Sequence, residues 1–227
     1  MKTQNNDVWG LPLILENLRD TECSLLRETR FFDSNTLLHV AASLGHDQIV
    51  EAILSKQQCQ ELLTAKNSTG DLPLHVAVNA GHLPVVQQLL KSSDQCQELL
   101  MAKNSSGDLP LHVAVNAGHL PIVQLLLMSS DQCKEVLTGK NSSGDLPLHV
   151  AVNAGHLLMV QLLVKSAQNS NVDVACKLLK EKNKEGITPL LLALIRKDQR
   201  NLEDNFTKVA EFLIDTGSKD MVLLFKQ

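Results

Sequence analysis

Apolar residues recur with helical spacing in short segments that polar turns separate. In one such segment, small and apolar groups share one face of a helix at positions i, i+3, i+4 and i+7: Leu74, Ala77, Val78 and Gly81. Pro73 suits the first helical position, where an N–H is not needed. After the Gly81-His82 turn, a second helix is predicted to open at Pro84. The pattern therefore predicts two antiparallel helices.

This helix pair is repeated along the chain. Residues 67–103 are followed by a second copy at 104–140 that differs at eight of thirty-seven positions, and the same letters begin again at Asn141. Weaker copies lie on both sides. Because such a pair cannot bury both of its faces alone, each copy is expected to stack on its neighbours.

The repeated letters resemble a known family. Leu-Pro-Leu-His-Val-Ala occurs at residues 72–77, 109–114 and 146–151, and Gly-His follows each first histidine after seven residues. This resembles the Thr-Pro-Leu-His-x-Ala pattern of ankyrin repeats over roughly residues 31–216. The resemblance implies an all-α ankyrin-repeat solenoid.

The chain departs from the family pattern in two ways. Leucine replaces the capping threonine at Leu72, Leu109 and Leu146, so the preceding Asp71, Asp108 and Asp145 are candidates to take over the cap. The period is about thirty-seven, and the extra residues combine capping-box spacing at Asp94 and Gln97 with a short apolar face. A third short helix per repeat is therefore predicted.

The repeats suggest one continuous domain. Its expected parts are a degenerate capping unit at 1–30, repeats at 31–66, 67–103, 104–140 and 141–182, and a fifth repeat with a cap at 183–227. Trp9 is expected to cover the apolar edge of the first unit, or to anchor a partner. In the fifth repeat, a polar insertion at 196–205 replaces the Gly-His turn before a helix at 206–214, and residues 221–225 are expected to seal the stack.

Composition narrows the class of function. The 227 residues carry a formal charge of −4 with a pI near 6.0, which gives no basic footprint for nucleic acid. No apolar run reaches transmembrane length, and the run at 11–15 is too short for a secretory signal. We expect a cytoplasmic protein without membrane insertion. Asn-x-Ser/Thr triplets at Asn67, Asn104, Asn141 and Asn205 are read as turn chemistry rather than as glycosylation sites.

The histidines and cysteines occupy repeated positions rather than one centre, and closely spaced zinc-ligand pairs are absent from the sequence. We therefore predict no metal, no cofactor and no disulfides. The first histidine of each repeat is expected to tie neighbouring loops together, the second to hold the turn, and each cysteine to be a small core residue. A Cys-His-Asp hydrolase can be assembled on paper, but threefold duplication of every candidate favours a non-enzymatic scaffold.

By resemblance to other ankyrin proteins, a protein partner or extended peptide meets the loop tips and the exposed side of the first helix. The matching positions are Ser43, Leu44, Asp71, Asn79, Ala80, Asp108, Asn116, Ala117, Asp145, Asn153 and Ala154. The insertion adds Arg196, Arg200 and Glu203. The chain is expected to be a monomer.

Short ankyrin chains with recently duplicated units resemble effectors that intracellular bacteria deliver into host cells, which would place this chain in the host cytosol. The alternative is an ankyrin array that recruits substrate for a transferase or hydrolase, with the activity in the termini or in a partner chain.

Overall fold

The computed structural model describes residues 32–92, 96–129, 133–200 and 204–224, and throughout these ranges the regular structure is helical. A 3₁₀ turn, Phe32–Ser34, precedes the first α-helix, and a 3₁₀ helix, Gln57–Thr64, follows the second. The α-helices are α1 Leu37–Leu44, α2 Asp47–Leu54, α3 Pro73–Ala80, α4 Leu83–Lys91, α5 Cys96–Met101, α6 Pro110–Ala117, α7 Leu120–Met128, α8 Cys133–Thr138, α9 Pro147–Asn153, α10 Leu157–Ser170, α11 Val172–Lys180, α12 Pro189–Arg200 and α13 Asp204–Leu224.

The first helix of each central repeat begins with proline, as predicted, but the aspartate cap is wrong. The N-cap residue of α6 is Leu109, and its backbone N–H donates to Nδ1 of His112, three residues further on, at 3.2 Å. Leu109 itself is fully buried. A side chain from inside the helix thus satisfies the first amide, which frees the cap position for an apolar residue.

The predicted third helix is confirmed in the described repeats, as α5, α8 and α11, and as the 3₁₀ helix in the first repeat. It contributes to the core through adjacent apolar residues such as Leu99 and Leu100, each 1% exposed. The prediction that the cysteines are core residues is wrong for Cys96 and Cys176, whose side chains are only half-buried.

The chain divides into two compact units, residues 1–95 and 96–227. In the first unit, α1 packs on α3 and α2 packs on α4. In the second, the first helices α6, α9 and α12 pack in succession, while α10 contacts α7, α11 and α13. Within each unit, first helices therefore stack on first helices and second helices on second helices, which is how consecutive repeats share a core.

The fifth repeat differs from the prediction at its insertion. Residues 196–200 do not form a loop but extend α12, and α13 runs well beyond the predicted 206–214. Phe206 of α13 is 1% exposed, and its ring lies against Gly155. The side chain of Arg200, the residues Glu203 and Trp9, and the side chains of the predicted seal at 221–225 lie outside what the structure describes.

Candidate functional site

In three of the repeats, the first histidine connects its repeat to the next loop, as predicted. Within the first unit, Nε2 of His39 lies 2.9 Å from the Asp71 carbonyl oxygen. In the second unit, Nε2 of His112 lies 3.0 Å from the Asp145 carbonyl oxygen, and that of His149 lies 3.0 Å from the Ile187 carbonyl oxygen. These bonds hold each of the three following loops against the preceding repeat.

The same bonds fix the protonation state of the rings. Nδ1 of His112 and of His149 accepts a backbone N–H, so each ring is neutral and carries its proton on Nε2, which donates to a carbonyl. Burial, the largest cause, lowers the pKa of both rings below the usual value of a histidine. These residues are structural and are held in the uncharged form.

The second histidine does more than hold its own turn. Nε2 of His82 lies 3.0 Å from the Ser43 carbonyl oxygen of the preceding repeat. Its ring also covers Gly45, where an added β-carbon would lie 2.6 Å from Nδ1. In the first unit, this histidine therefore also links one repeat to the previous one.

The loop tips form a second ladder between repeats. Oδ1 of Asn141 accepts the backbone N–H groups of Ser143 and Asp145, which closes the turn. Nδ2 of Asn141 donates to the Asp108 carboxylate at 2.9 Å, and Asn183 donates to the Asp145 carboxylate in the same way. The asparagines act in turn formation, and the two aspartates, predicted as partner contacts, also accept bonds from the next repeat.

The tip lysines connect to the following repeat as well. Lys103 Nζ donates to the Lys140 carbonyl oxygen at 2.7 Å, and Lys140 Nζ donates to that of Lys182 at 3.1 Å. Lys140 also pairs with Glu181 at 2.7 Å, which lowers the pKa of that carboxyl group. The pair is solvent-accessible, so it contributes little to stability.

The predicted first-helix positions lie at the surface. In the first unit, Ser43, Leu44, Asn79 and Ala80 are exposed. In the second unit, the corresponding residues form what we call the amide row: Asn116, Ala117, Asn153, Ala154 and Arg196. Both asparagines are exposed and both alanines are half-buried.

Arg196 and Asn153 are brought together by the fold. Nε of Arg196 donates to Oδ1 of Asn153 at 2.8 Å, although the two residues are forty-three positions apart in the sequence. Arg196 reaches Asn153 because α12 continues through residues that the sequence suggested were an insertion. A guanidinium group is thereby fixed at one end of a neutral row.

One feature of the second unit was missed from the sequence. A pocket of about 370 Å³ lies at the Gly-His turns of two repeats and is bordered by Gly118, Leu120, His156, Leu158, Met159 and Asn205. The signal that could have indicated it is the residue at 158, because Pro84 and Pro121 hold this position in the preceding repeats. We call this cavity the turn pocket.

Neither a cluster of metal-ligating residues nor a membrane-spanning helix is found in the described ranges. There, His, Cys, Asp and Glu do not gather in any group of three that could hold a metal ion. None of the described helices has both the length and the apolar character needed to cross a bilayer.

Comparison with known proteins agrees with the geometry. The family model of ankyrin repeats (three copies) matches residues 4–98 and 90–174, so the chain belongs to the ankyrin-repeat family. Ankyrin repeats are protein interaction modules that are generally non-catalytic.

Two relatives illustrate how widely the module is used. The chain is 37% identical over 78 residues, 34% of its length, to Protein ACCELERATED CELL DEATH 6 of Arabidopsis thaliana. It is 39% identical over 62 residues, 27% of its length, to the mitochondrial liver isoform of glutaminase of Mus musculus. The matched stretches span only 11% and 10% of those proteins.

Proposed function

We propose that this chain binds another protein, through an extended segment of that protein that lies along the exposed side of the first helices. The observation that carries the proposal is the amide row. Asn116 and Asn153 are exposed on successive first helices, whereas the apolar residues of the same helices are buried. Exposed residues at equivalent positions of a repeated core are available for contact without a cost to packing.

The chemistry of the row favours a polar backbone as its ligand. Each asparagine carboxamide offers donors and an acceptor, and the small alanines beside them let a peptide backbone approach. Arg196 adds one positive charge at the end of the row, where Asn153 orients its guanidinium group. An extended segment with an acidic residue at that end fits this arrangement best. In the first unit, Leu44, 59% exposed, offers an apolar contact instead.

A charge-insertion experiment tests the proposal on the full chain. Asn79, Asn116 and Asn153 are changed together to arginine, and proteins captured from a cytosolic extract are compared with those captured by the native chain. The matched control places three arginines on second helices, at Gln87, Gln124 and Gln161, which are also equivalent amides. Loss of a saturable partner in the first variant alone supports the proposal. Equal capture by both variants refutes it.

The same design tests the contribution of the insertion. Arg196→Ala removes the guanidinium group and is expected to weaken capture, whereas Lys197→Ala, an exposed neighbour on α12, is expected to leave it unchanged. If Lys197→Ala weakens capture as much as Arg196→Ala, the positive charge acts without the specific contact to Asn153, and its assignment to the amide row is wrong.

A recruiting role for an enzyme is the second candidate. One relative bears the name of a glutaminase, and the chain matches only a tenth of it, so a module of this kind occurs within an enzyme. A transferase or hydrolase would then act through the termini of this chain or through a partner chain. This role is tested by incubating the captured complex and following modification or cleavage of the partner. A chain that only binds leaves the partner unchanged.

The cytosol is the setting in which we propose that binding takes place, and for a delivered bacterial effector this is the host cytosol. Two observations support it: neither Cys96 nor Cys176 forms a disulfide, and the carboxamide of Asn141 is engaged in its turn and with Asp108. Expression in cultured cells, with fractionation and a mobility test for glycans, checks it. A glycosylated product in the secretory fraction contradicts it.

A further inference from the structure

The turn pocket is lined by His156, whose surroundings differ from those of its counterpart in the first unit, His82. His82 bonds to the Ser43 carbonyl oxygen and lies close against Gly45. Gly118 is the glycine that corresponds to Gly45, and an added β-carbon there would be 3.5 Å from His156 Nε2 rather than 2.6 Å from a ring nitrogen. Among the described residues, the His156 ring has no hydrogen-bond partner. The imidazole of His156 therefore lies farther from its glycine than that of His82 does, and it borders the pocket.

The neighbouring residue enlarges the apolar wall. Leu158 stands where the two preceding repeats have Pro84 and Pro121, and its side chain is 65% exposed. Beside it, the pocket is bordered by Leu120 and Met159. Single exposed leucines are common on protein surfaces, but this one continues an apolar wall at the edge of a pocket, where an apolar group would remove it from water. This turn therefore presents three neighbouring apolar side chains to the pocket.

Besides these apolar side chains, the described lining of the pocket includes two side chains that can form hydrogen bonds. His156 and Asn205 offer hydrogen-bonding groups at the same cavity, and the start of α13 brings Asn205 there. The volume of about 370 Å³ lies near the lower end of the range of small-molecule pockets, so it suits one large side chain rather than a cofactor. The ligand must combine an apolar body with a hydrogen-bonding tip.

We propose that the turn pocket receives an aromatic side chain with a hydrogen-bond donor, tryptophan or tyrosine, from the protein partner. Such side chains present a large apolar ring and one polar N–H or O–H, and they are enriched at binding hot spots. The ring packs on Leu120, Leu158 and Met159, and the donor bonds to the open imidazole of His156. This inference rests on the proposed function, because it supplies an anchor for the partner that the amide row binds.

The test uses small probes on the full chain, so it does not depend on knowing the partner. N-acetyl-tryptophanamide, N-acetyl-phenylalaninamide and N-acetyl-leucinamide are titrated into ¹⁵N-labelled chain while backbone amide resonances are followed. The tryptophan probe is expected to shift the resonances of Gly118, Gly155 and Leu158 saturably. It is expected to bind about fivefold more tightly than the phenylalanine probe, which lacks the donor, and more tightly still than the leucine probe.

Two variants and one control locate the binding. Leu158→Pro restores the residue of the preceding repeats, so the fold is retained, and it is expected to weaken the tryptophan probe about tenfold by removing the apolar wall. His156→Ala is expected to weaken it about fivefold and to abolish its preference over the phenylalanine probe. Met128→Ser, which removes an exposed apolar side chain at the end of α7, is expected to change nothing.

The proposal is overturned if the pocket resonances do not shift, if the phenylalanine probe binds equally well, or if Leu158→Pro leaves the affinity unchanged. Failure here is distinguishable from failure of the proposed function. If no probe shifts the pocket resonances but the asparagine variant loses its partner, the turn-pocket proposal is wrong and the amide-row proposal stands. If the tryptophan probe binds the pocket but the asparagine variant captures the partner normally, the amide-row proposal is wrong and the turn-pocket proposal stands.

Discussion

Replacing Phe206 tests how the last repeat is attached. Its side chain is 1% exposed and covers Gly155, as His82 covers Gly45 in the first unit. A buried aromatic side chain removes about 150–250 Å² from water. At about 25 cal/mol per Å² this corresponds to about 4–6 kcal/mol, and large-to-small core substitutions cost about 3–5 kcal/mol. We therefore expect Phe206→Ala to destabilise the C-terminal repeats by about 4 kcal/mol.

Urea denaturation and native-state hydrogen exchange measure this effect. Because repeat arrays can unfold in parts, exchange must report on individual helices, and the amides of α12 and α13 should lose protection first. Phe212→Ala is the matched control, since Phe212 lies on the same helix but is only half-buried, and we expect about half the loss. Equal losses for both variants, or a loss below about 1 kcal/mol for Phe206→Ala, would refute the placement of this ring.

Three further predictions follow from the ladders. The lowered pKa values of His112 and His149 mean that, below about pH 6.5, the unfolded chain binds protons before the folded chain does. Stability present at neutral pH is therefore lost on acidification, and thermal melts should show a lower Tm at about pH 5.5 than at about pH 7.5. The difference in Tm should be smaller in His112→Gln. An equal Tm at the two pH values would contradict this prediction. Asn141→Ala should cost about 2 kcal/mol in urea denaturation, because it removes the acceptor of two backbone N–H groups and the donor to Asp108; a loss below about 0.5 kcal/mol would argue against these bonds. Gly45→Ala and Gly118→Ala share the strain of a positive φ, so the larger loss expected for Gly45→Ala measures its contact with His82, and equal losses would deny that contact.

Much of the fold was predictable because the repeat presents the same local pattern several times. Helix starts at proline and ends at glycine are local properties, and both were read correctly for α3 and α6. The linking role of the first histidines was also predictable, because a polar residue that recurs inside an apolar pattern needs a partner. The single-domain organisation and the monomeric state remain predictions.

The candidate site was predictable only in part. That Asn116 and Asn153 are exposed follows from the helical period, and the structure places them at the surface. The aspartate cap was wrong because the ring of His112 reaches the amide first. The extension of α12 was not predicted because a polar run is compatible with either a loop or an exposed helix. In the structure these residues are helical, and α13 packs on α12.

By itself the sequence determined the class of fold, because each helix pair leaves an apolar face that a neighbouring copy of the same pattern covers. It also determined that most of the histidines and cysteines recur at equivalent positions of the repeats. Only the tertiary structure decided which equivalent residues differ in their surroundings. His82 and His156 follow the same local pattern, yet one bonds to a neighbouring carbonyl and the other borders a pocket, because the position of a ring depends on what the adjacent repeats place around it.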